Sequence, residues 1–355
     1  MDQHLSVAAT LPQDGCRGTL IGRAWLPGSP PGPVVVAVRE DGVFDLTRLA
    51  PTVSLLCEAE DPVALARSGE APRIGEVEPI LQNSRWDRRD PALPWLLAPI
   101  DLQAIKAAGV TFAGSMLERV IEERAKGDPS QAEAIRERIG RIVGADLATV
   151  RPGSEVAERL KQHLIAEGAW SQYLEVGIGP DAEIFTKAQP MSAVGHGAQV
   201  GIHPRSGWNN PEPELVLVVS SKGRIVGAAL GNDVNLRDVE GRSALLLGKA
   251  KDNNASAAIG PFIRLFDGGY GLEDVRRAEL TLRVKGQDGF VLEGASSMAQ
   301  ISRDPADLVA QAIGRHHQYP DGFMLYLGTL FAPTQDRDAP GQGFTHHPGD
   351  VVTIS

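Results

Sequence analysis

The residues best placed to do chemistry lie between 210 and 240. The stretch reads Asn210-Pro-Glu-Pro-Glu-Leu-Val-Leu-Val-Val-Ser220, a Ser221-Lys222-Gly223 turn, then Arg224-Ile-Val-Gly-Ala-Ala-Leu-Gly-Asn-Asp-Val-Asn-Leu-Arg-Asp238. Two apolar runs joined by a Lys-Gly turn predict a hairpin. Glu212 and Glu214 are two apart, so on a strand they face one side. Asp233 ends the second strand, and in a hairpin centred near 222 it lies level with Glu212. Three carboxylates converging on one point repel one another. A hard divalent cation relieves that repulsion, and all-oxygen ligation suits Mg²⁺, Mn²⁺ or Ca²⁺ rather than zinc. Spacing alone leaves a second reading open, in which Glu212 and Glu214 solvate one face of an exposed edge strand blunted by Pro213.

The elements that must position these acids are legible in outline. From about 174 onward, short apolar runs alternate with Gly, Pro, Asn and Asp. Leu215 to Val219, Ile225 to Leu230, Leu280 to Val284, Phe290 to Leu292 and Val351 to Ile354 are examples. This predicts a β-rich region with Gly-rich turns. One helix interrupts it, roughly 304 to 316, with Leu308-Val309 and Ala312-Ile313 on one face. Upstream, residues 116 to 168 are helical in pattern. Met116-Leu117, Val120-Ile121, Ala132, Ile135, Ile139 and Ile142-Val143 recur at helical spacing, and Leu160, His163, Leu164 and Ile165 continue in a further helix. Residues 1 to 95 read as a small separate α/β domain, with the Pro-rich stretch Pro91 to Pro99 as linker, and 96 to 355 as the main domain. The expected class is α+β, β-rich.

Bulk properties exclude several classes. The 355 residues carry 45 Asp and Glu against 35 Lys and Arg, a net charge of -10. Nucleic-acid binding needs clustered cations, so that class is set aside. The only two cysteines, Cys16 and Cys57, make neither a zinc motif nor a disulfide framework, and a reducing cytoplasm is the expected compartment. Met1 to Thr10 does not read as a signal peptide. No run approaches the roughly 20 apolar residues of a membrane span.

Several ordered segments then resemble the fumarylacetoacetate hydrolase superfamily. They are Glu183-Ile-Phe-Thr-Lys187, Pro211-Glu-Pro-Glu-Leu-Val-Leu-Val218, Gly231-Asn-Asp-Val-Asn-Leu-Arg-Asp238, Lys251 followed by Gly260-Pro261, Leu327-Gly-Thr329, and Pro348-Gly-Asp-Val-Val352. The resemblance covers roughly 95 to 355 and implies a β-sandwich roll that is usually dimeric. It implies that Glu212, Glu214 and Asp233 ligate Mg²⁺ (or Mn²⁺ or Ca²⁺). Lys251 falls at the family's lysine, with Lys249 a nearby alternative. Asn232, Arg237 and Thr329 fall near the metal or the substrate carboxylate, and Ser256 is a further candidate for substrate contact. The family usually continues past the point where this chain ends, Ser355.

One departure bears on the reaction. The family's C–C hydrolases carry an Asn-Tyr-x-x-His-x-x-Glu-like motif whose His and Glu activate water. Here the segment reads Gly109-Val-Thr-Phe-Ala-Gly-Ser-Met-Leu-Glu118, with Ser115 at the His position. A lone serine is a poor water activator, because its pKa lies far from neutral. A smaller branch of the superfamily lacks that His and carries Glu in the Glu-Ile-Phe segment, here Glu183. It dehydrates 2-keto-3-deoxy sugar acids. The resemblance to this branch implies conversion of a 2-keto-3-deoxypentonate to 2-oxoglutarate semialdehyde in pentose catabolism, with Glu183 as base and Lys251 as proton donor. The alternative is a C–C hydrolase of an acylpyruvate or a 2,4-diketo-3-deoxy sugar acid, with water activated by Glu118 or by a metal-bound hydroxide. A non-catalytic metal-binding or sensing domain is the third reading. The pairs His316-His317 and His346-His347 are set aside as metal sites, the first as a helix C-terminal feature.

Overall fold

The computed structural model describes residues 3–126, 128–132, 134–137, 150–166, 168, 170–331 and 333–355. One large sheet dominates. From one edge its strands run Arg73–Gly75, Gly42–Asp45, Gly32–Arg39, Leu20–Leu26 and Ala257–Leu265. They continue through Ile225–Asp233, Pro213–Val219, Phe323–Tyr326, Ala104–Gly109 and Glu183–Ala188. A three-stranded sheet centred on Glu279–Lys285 accompanies it, flanked by Val291–Ser297 and Val351–Ile354. Along Glu279–Lys285 exposed and buried residues alternate strictly, as expected of a sheet with one wet face. Leu280, on its dry face, joins Leu217, Val219, Ala228 and Leu325 of the large sheet in one core cluster. The class is mixed α+β and strand-rich, as the sequence pattern indicates.

The N-terminal stretch is joined to this sheet by strand pairing. Leu20 lies opposite Arg264 and Ile21 opposite Ile263. Trp95–Leu96, inside the Pro-rich segment read as a linker, adds a short strand to Leu20–Leu26, and Trp25 stacks on Trp95 with centroids 5.7 Å apart. The expected boundary near 95 therefore falls within a hydrogen-bonded sheet. Strand pairing between residues more than 200 apart leaves no trace in local periodicity.

Helices Ala113–Ala125, Glu155–Ala166 and Gln172–Ile178 pack against one another through Met116, Val120, Leu164 and Leu174. The positions Ile139, Ile142 and Val143 of the helical pattern lie outside the described residues. The helix expected over 304 to 316 is shorter, Pro305–Ala312. Ile313 is already extended (φ -123°, ψ 142°), and Gly314 bridges to His317. Glycine disfavours helix continuation, so His316 and His317 follow a turn and not a helix end. Among the described residues no helix is long and apolar enough to cross a membrane.

The hairpin that carries the acids lies at the centre of the large sheet. Pro213–Val219 is buried at every position, between Ile225–Asp233 on one side and Phe323–Tyr326 on the other. A Cβ on Gly231 would sit 2.5 Å from Tyr326 Cε1 and 2.6 Å from Val216 Cγ2. Gly231 thus lets Tyr326 lie flat across the strand, where its hydroxyl donates to Ala258 O at 2.7 Å. Gly231→Ala is expected to destabilise the protein by about 1–3 kcal/mol through overpacking. Denaturant unfolding would show this as a lower midpoint with an unchanged m-value.

Candidate metal centre

The hairpin turn passes through Gly223 at φ 76°, and Gly231 then pairs with Glu214 and Asn232 with Pro213. Asp233 N–H donates to Glu212 O at 3.0 Å, which sets Asp233 level with Glu212. Carboxylate oxygens of Glu212, Glu214 and Asp233 lie within 4.8 Å of one another, and all three side chains are buried. Because their strand is central, the edge-strand reading does not describe it.

At such separations two unit charges interact by about 4 kcal/mol even at an effective dielectric of ~20. The surrounding cations answer this repulsion. Lys251 Nζ lies 2.6 Å from Glu212 Oε2 and 2.9 Å from Asp233 Oδ2. Arg119 Nη2 lies 2.5 Å from Glu212 Oε1, and Lys187 Nζ is 3.0 Å from Asp233 Oδ1. Glu214 accepts Gly328 N–H at 2.7 Å. Burial, reinforced by Asp233 and Glu212, pushes the Glu214 carboxyl well above the usual range. Burial also raises Glu212, against Lys251 and Arg119. Burial opposes ionisation of Asp233 as well, but Lys187 and Lys251 outweigh it and hold that carboxyl low. Burial disfavours the charged form of Lys251, yet Asp233 and Glu212 more than compensate and the net shift is upward.

The donor set fits a hard cation. All three groups are carboxylates, and Asp233 Oδ1 is buried with no aligned hydrogen-bond donor, Lys187 being close enough for charge attraction only. An under-satisfied oxygen inside an oxygen-only trio is the environment such ions take. Glu212, Glu214 and Asp233 form the one cluster of three or more His, Cys, Asp or Glu ligands among the described residues. His346, set aside above, donates through Nδ1 to Asn209 Oδ1 at 2.9 Å, and burial lowers its pKa to about 4.

A cavity of about 30 Å³ adjoins the acids, lined by Glu183, Lys251, Ser115 and Thr329 among others. It has room for a water or an ion. Burial, then the neighbouring Glu240, push the Glu183 carboxyl up to about 7. The remaining sequence candidates are placed differently. Lys249 is exposed, so the structure brings Lys251 and not Lys249 to the acids. Asn232 Oδ1 accepts Glu212 N–H at 3.0 Å, and Ser256 Oγ donates to Lys251 O at 2.7 Å. Arg237 donates to Pro333 O at 2.9 Å and lies over the Trp208 ring. Asn232 and Ser256 thus brace Glu212 and Lys251 from behind the lining, whereas Arg237 is engaged away from it. Glu118 is gripped by Arg136, with two contacts of 2.9 Å, and lies 3.6 Å from Arg237. Ser115 Oγ donates to Phe112 O at 2.9 Å.

Three site residues escaped the sequence reading: Lys187, Arg119 and Glu240. Lys187 is wholly buried and donates to Val234 O, Lys251 O and Ser256 Oγ. Its signal was available, since Glu183, Phe185 and Lys187 alternate along one strand and so share a face. Arg119 follows Ser115 by four residues on the helix Ala113–Ala125, again one face.

Glu212 and Glu214 have pKa values raised by folding, so the folded state binds more protons than the unfolded chain. Their contribution to stability is full below the ordinary carboxylate pKa and is lost as pH rises towards the folded values. Glu214→Gln keeps an acceptor for Gly328 N–H and removes one charge. It is expected to raise the melting temperature of metal-free protein at neutral pH and to abolish the further rise given by Mg²⁺ to the parent protein. Thermal melts with and without Mg²⁺ check both.

Comparison with known proteins agrees with this geometry. The model of the "Fumarylacetoacetate (FAA) hydrolase C-terminal" family matches residues 161–355. The chain is 32% identical over 155 residues to "2-dehydro-3-deoxy-D-arabinonate dehydratase" of Saccharolobus solfataricus, covering 44% of this chain and 51% of that protein. It is 31% identical over 166 residues to "Probable 2-keto-3-deoxyxylonate dehydratase" of Haloferax volcanii, covering 47% of this chain and 56% of that protein. The match thus spans about half the length of these curated relatives. Among solved structures, "2-keto-3-deoxy-D-arabinonate dehydratase complexed with magnesium and 2,5-dioxopentanoate" shares the fold, with TM-score 0.62 and 20% identity over 95% of this chain and 94% of that one. With more than half of its length matched by the family model, and with the acids in place, the chain belongs to the fumarylacetoacetate hydrolase family.

Proposed function

We propose that the chain is a Mg²⁺-dependent hydro-lyase that converts a 2-keto-3-deoxypentonate to 2,5-dioxopentanoate, which is 2-oxoglutarate semialdehyde. The observation that carries this reading is the make-up of the cavity wall. Glu183 lines it beside the acidic trio, whereas the two positions that would activate water in a hydrolase are engaged elsewhere. Ser115 Oγ is committed to a backbone carbonyl, and Glu118 is held by Arg136 outside the lining. Dehydratase relatives, and a structural neighbour that binds magnesium and 2,5-dioxopentanoate, support the same choice.

When bound by Glu212, Glu214 and Asp233, a divalent cation supplies Lewis-acid polarisation of the 2-keto group. Glu183 removes a proton from C3. The electron pair left on C3 expels the C4 hydroxyl, which takes the proton back from Glu183 and departs as water, while Lys251, its proton held by Glu212 and Asp233, supplies positive charge beside the leaving group. A second proton then leaves C5 and returns at C3, and the enol so formed at C5 becomes the aldehyde. Glu183, half-buried and with a pKa near neutrality, suits repeated transfer of this kind. Thr329 lines the same cavity and is read as a substrate contact. The family resemblance and two free cysteines support a homodimer working in a reducing cytoplasm.

Glu183→Gln is expected to lower kcat by roughly 10²–10⁴-fold while Mg²⁺ affinity, read by calorimetry, stays at the parent value. Because a base must be ionised, kcat/KM should fall on the acid side of pH about 7 or lower, where Glu183 takes up a proton. Glu118→Gln should keep most of the dehydratase activity, whereas a hydrolase that activates water through Glu118 would lose its activity in this variant. Splitting of acylpyruvates to pyruvate, with no aldehyde formed from any 2-keto-3-deoxypentonate, would sink the lyase reading.

A further inference from the structure

The helix Ala113–Ala125 turns one face to the cavity, and both Ser115 and Arg119 line it. Ser115 is small, and its hydroxyl turns back to Phe112 O, so it leaves the approach to the acids to the longer side chain one turn on. Arg119 takes that approach. Its Nη2 lies 2.5 Å from Glu212 Oε1 and its Nη1 2.6 Å from Glu240 Oε2. One planar guanidinium thereby ties a carboxylate of the acidic hairpin to a carboxylate on the short helix Arg237–Glu240. All three side chains are at most 13% exposed.

We propose that Arg119 is a positioning residue that aims Glu212 at the cation. The inference rests on the reading that Glu212, Glu214 and Asp233 hold that cation. A guanidinium fork fixes both distance and plane, where a lysine would supply only a point charge. Asn235 Nδ2 donates to the same Glu212 Oε1 at 3.2 Å, so this oxygen is held from two directions. That leaves the orientation of Glu212 set by its neighbours and not by rotamer freedom. Groups that orient a ligand in this way commonly contribute 10–100-fold to metal affinity.

A second account is that Arg119 only offsets excess negative charge. The two accounts predict opposite signs. Removing a bystander cation from an acidic cluster strengthens attraction for a divalent ion, whereas removing an orienting fork weakens it. Mn²⁺ affinity is therefore measured by calorimetry on the full chain, with Arg119→Met, Arg119→Lys and Glu240→Gln beside the parent. The expected result is binding weaker by roughly 10–100-fold in Arg119→Met, with Arg119→Lys between Met and the parent. Glu240→Gln, which loosens the fork's other anchor without adding bulk, should weaken binding in the same direction, and it decides the matter if Arg119→Met does not fold. Equal or tighter Mn²⁺ binding in the folded variants overturns the proposal while leaving the cation reading intact. Failure of the parent protein to bind Mn²⁺ or Mg²⁺ at all overturns the cation reading together with it.

Discussion

Three like charges brought together inside a sheet constrain everything around them. Glu212, Glu214 and Asp233, all buried, converge on a central hairpin whose first strand, Pro213–Val219, is buried at every position, so solvent does not screen them. Burial of uncompensated carboxylates is costly, so each needs a cation or an N–H donor. Lys251, Lys187, Arg119 and the Gly328 amide supply these. They come from four elements far apart in sequence, and the fold must hold all of them in register at once.

The strand Glu183–Ala188 shows how one element serves both charge balance and chemistry. At its start Glu183 faces the cavity as a carboxyl with a near-neutral pKa, and near its end Lys187 anchors Asp233 and the backbone of Lys251. The strand lies at the edge of the large sheet, yet the loops after Asp233 and around Lys251 cover its chemically active face. The near-neutral carboxyl of Glu183 and the lysine that pairs with Asp233 thus share one face, four residues apart, because strand side chains alternate. On the opposite wall, the helix Ala113–Ala125 carries Ser115 at the position the resemblance gives to a hydrolase's histidine, and one turn on it contributes Arg119, a cation, to the cavity lining.

Much of the fold was legible because its signals are local. The hairpin of 210–233 follows from two apolar runs and a Lys-Gly turn, and the helices at 113–125 and 155–166 from 3.6-residue periodicity. The extent of the helix after Asp304 was overestimated, because periodicity continues through Ile313 while the backbone is already extended at that residue. The separate N-terminal unit is a similar case. The Pro-rich stretch Pro91 to Pro99 is a local signal, but the pairing of Leu20 with Arg264 depends on residues too distant for any local pattern.

By itself, the sequence determined which side chains are available and which share a face. Glu212 and Glu214 must lie on one side of their strand, and Ser115 cannot act as a histidine. Tertiary structure alone decided which charges meet. It chose Lys251 over Lys249, recruited Lys187 and Arg119, and held Glu118 away in ion pairs. The reason is physical: periodicity fixes the direction of a side chain relative to its own element, whereas charge compensation depends on distances between elements that only packing sets.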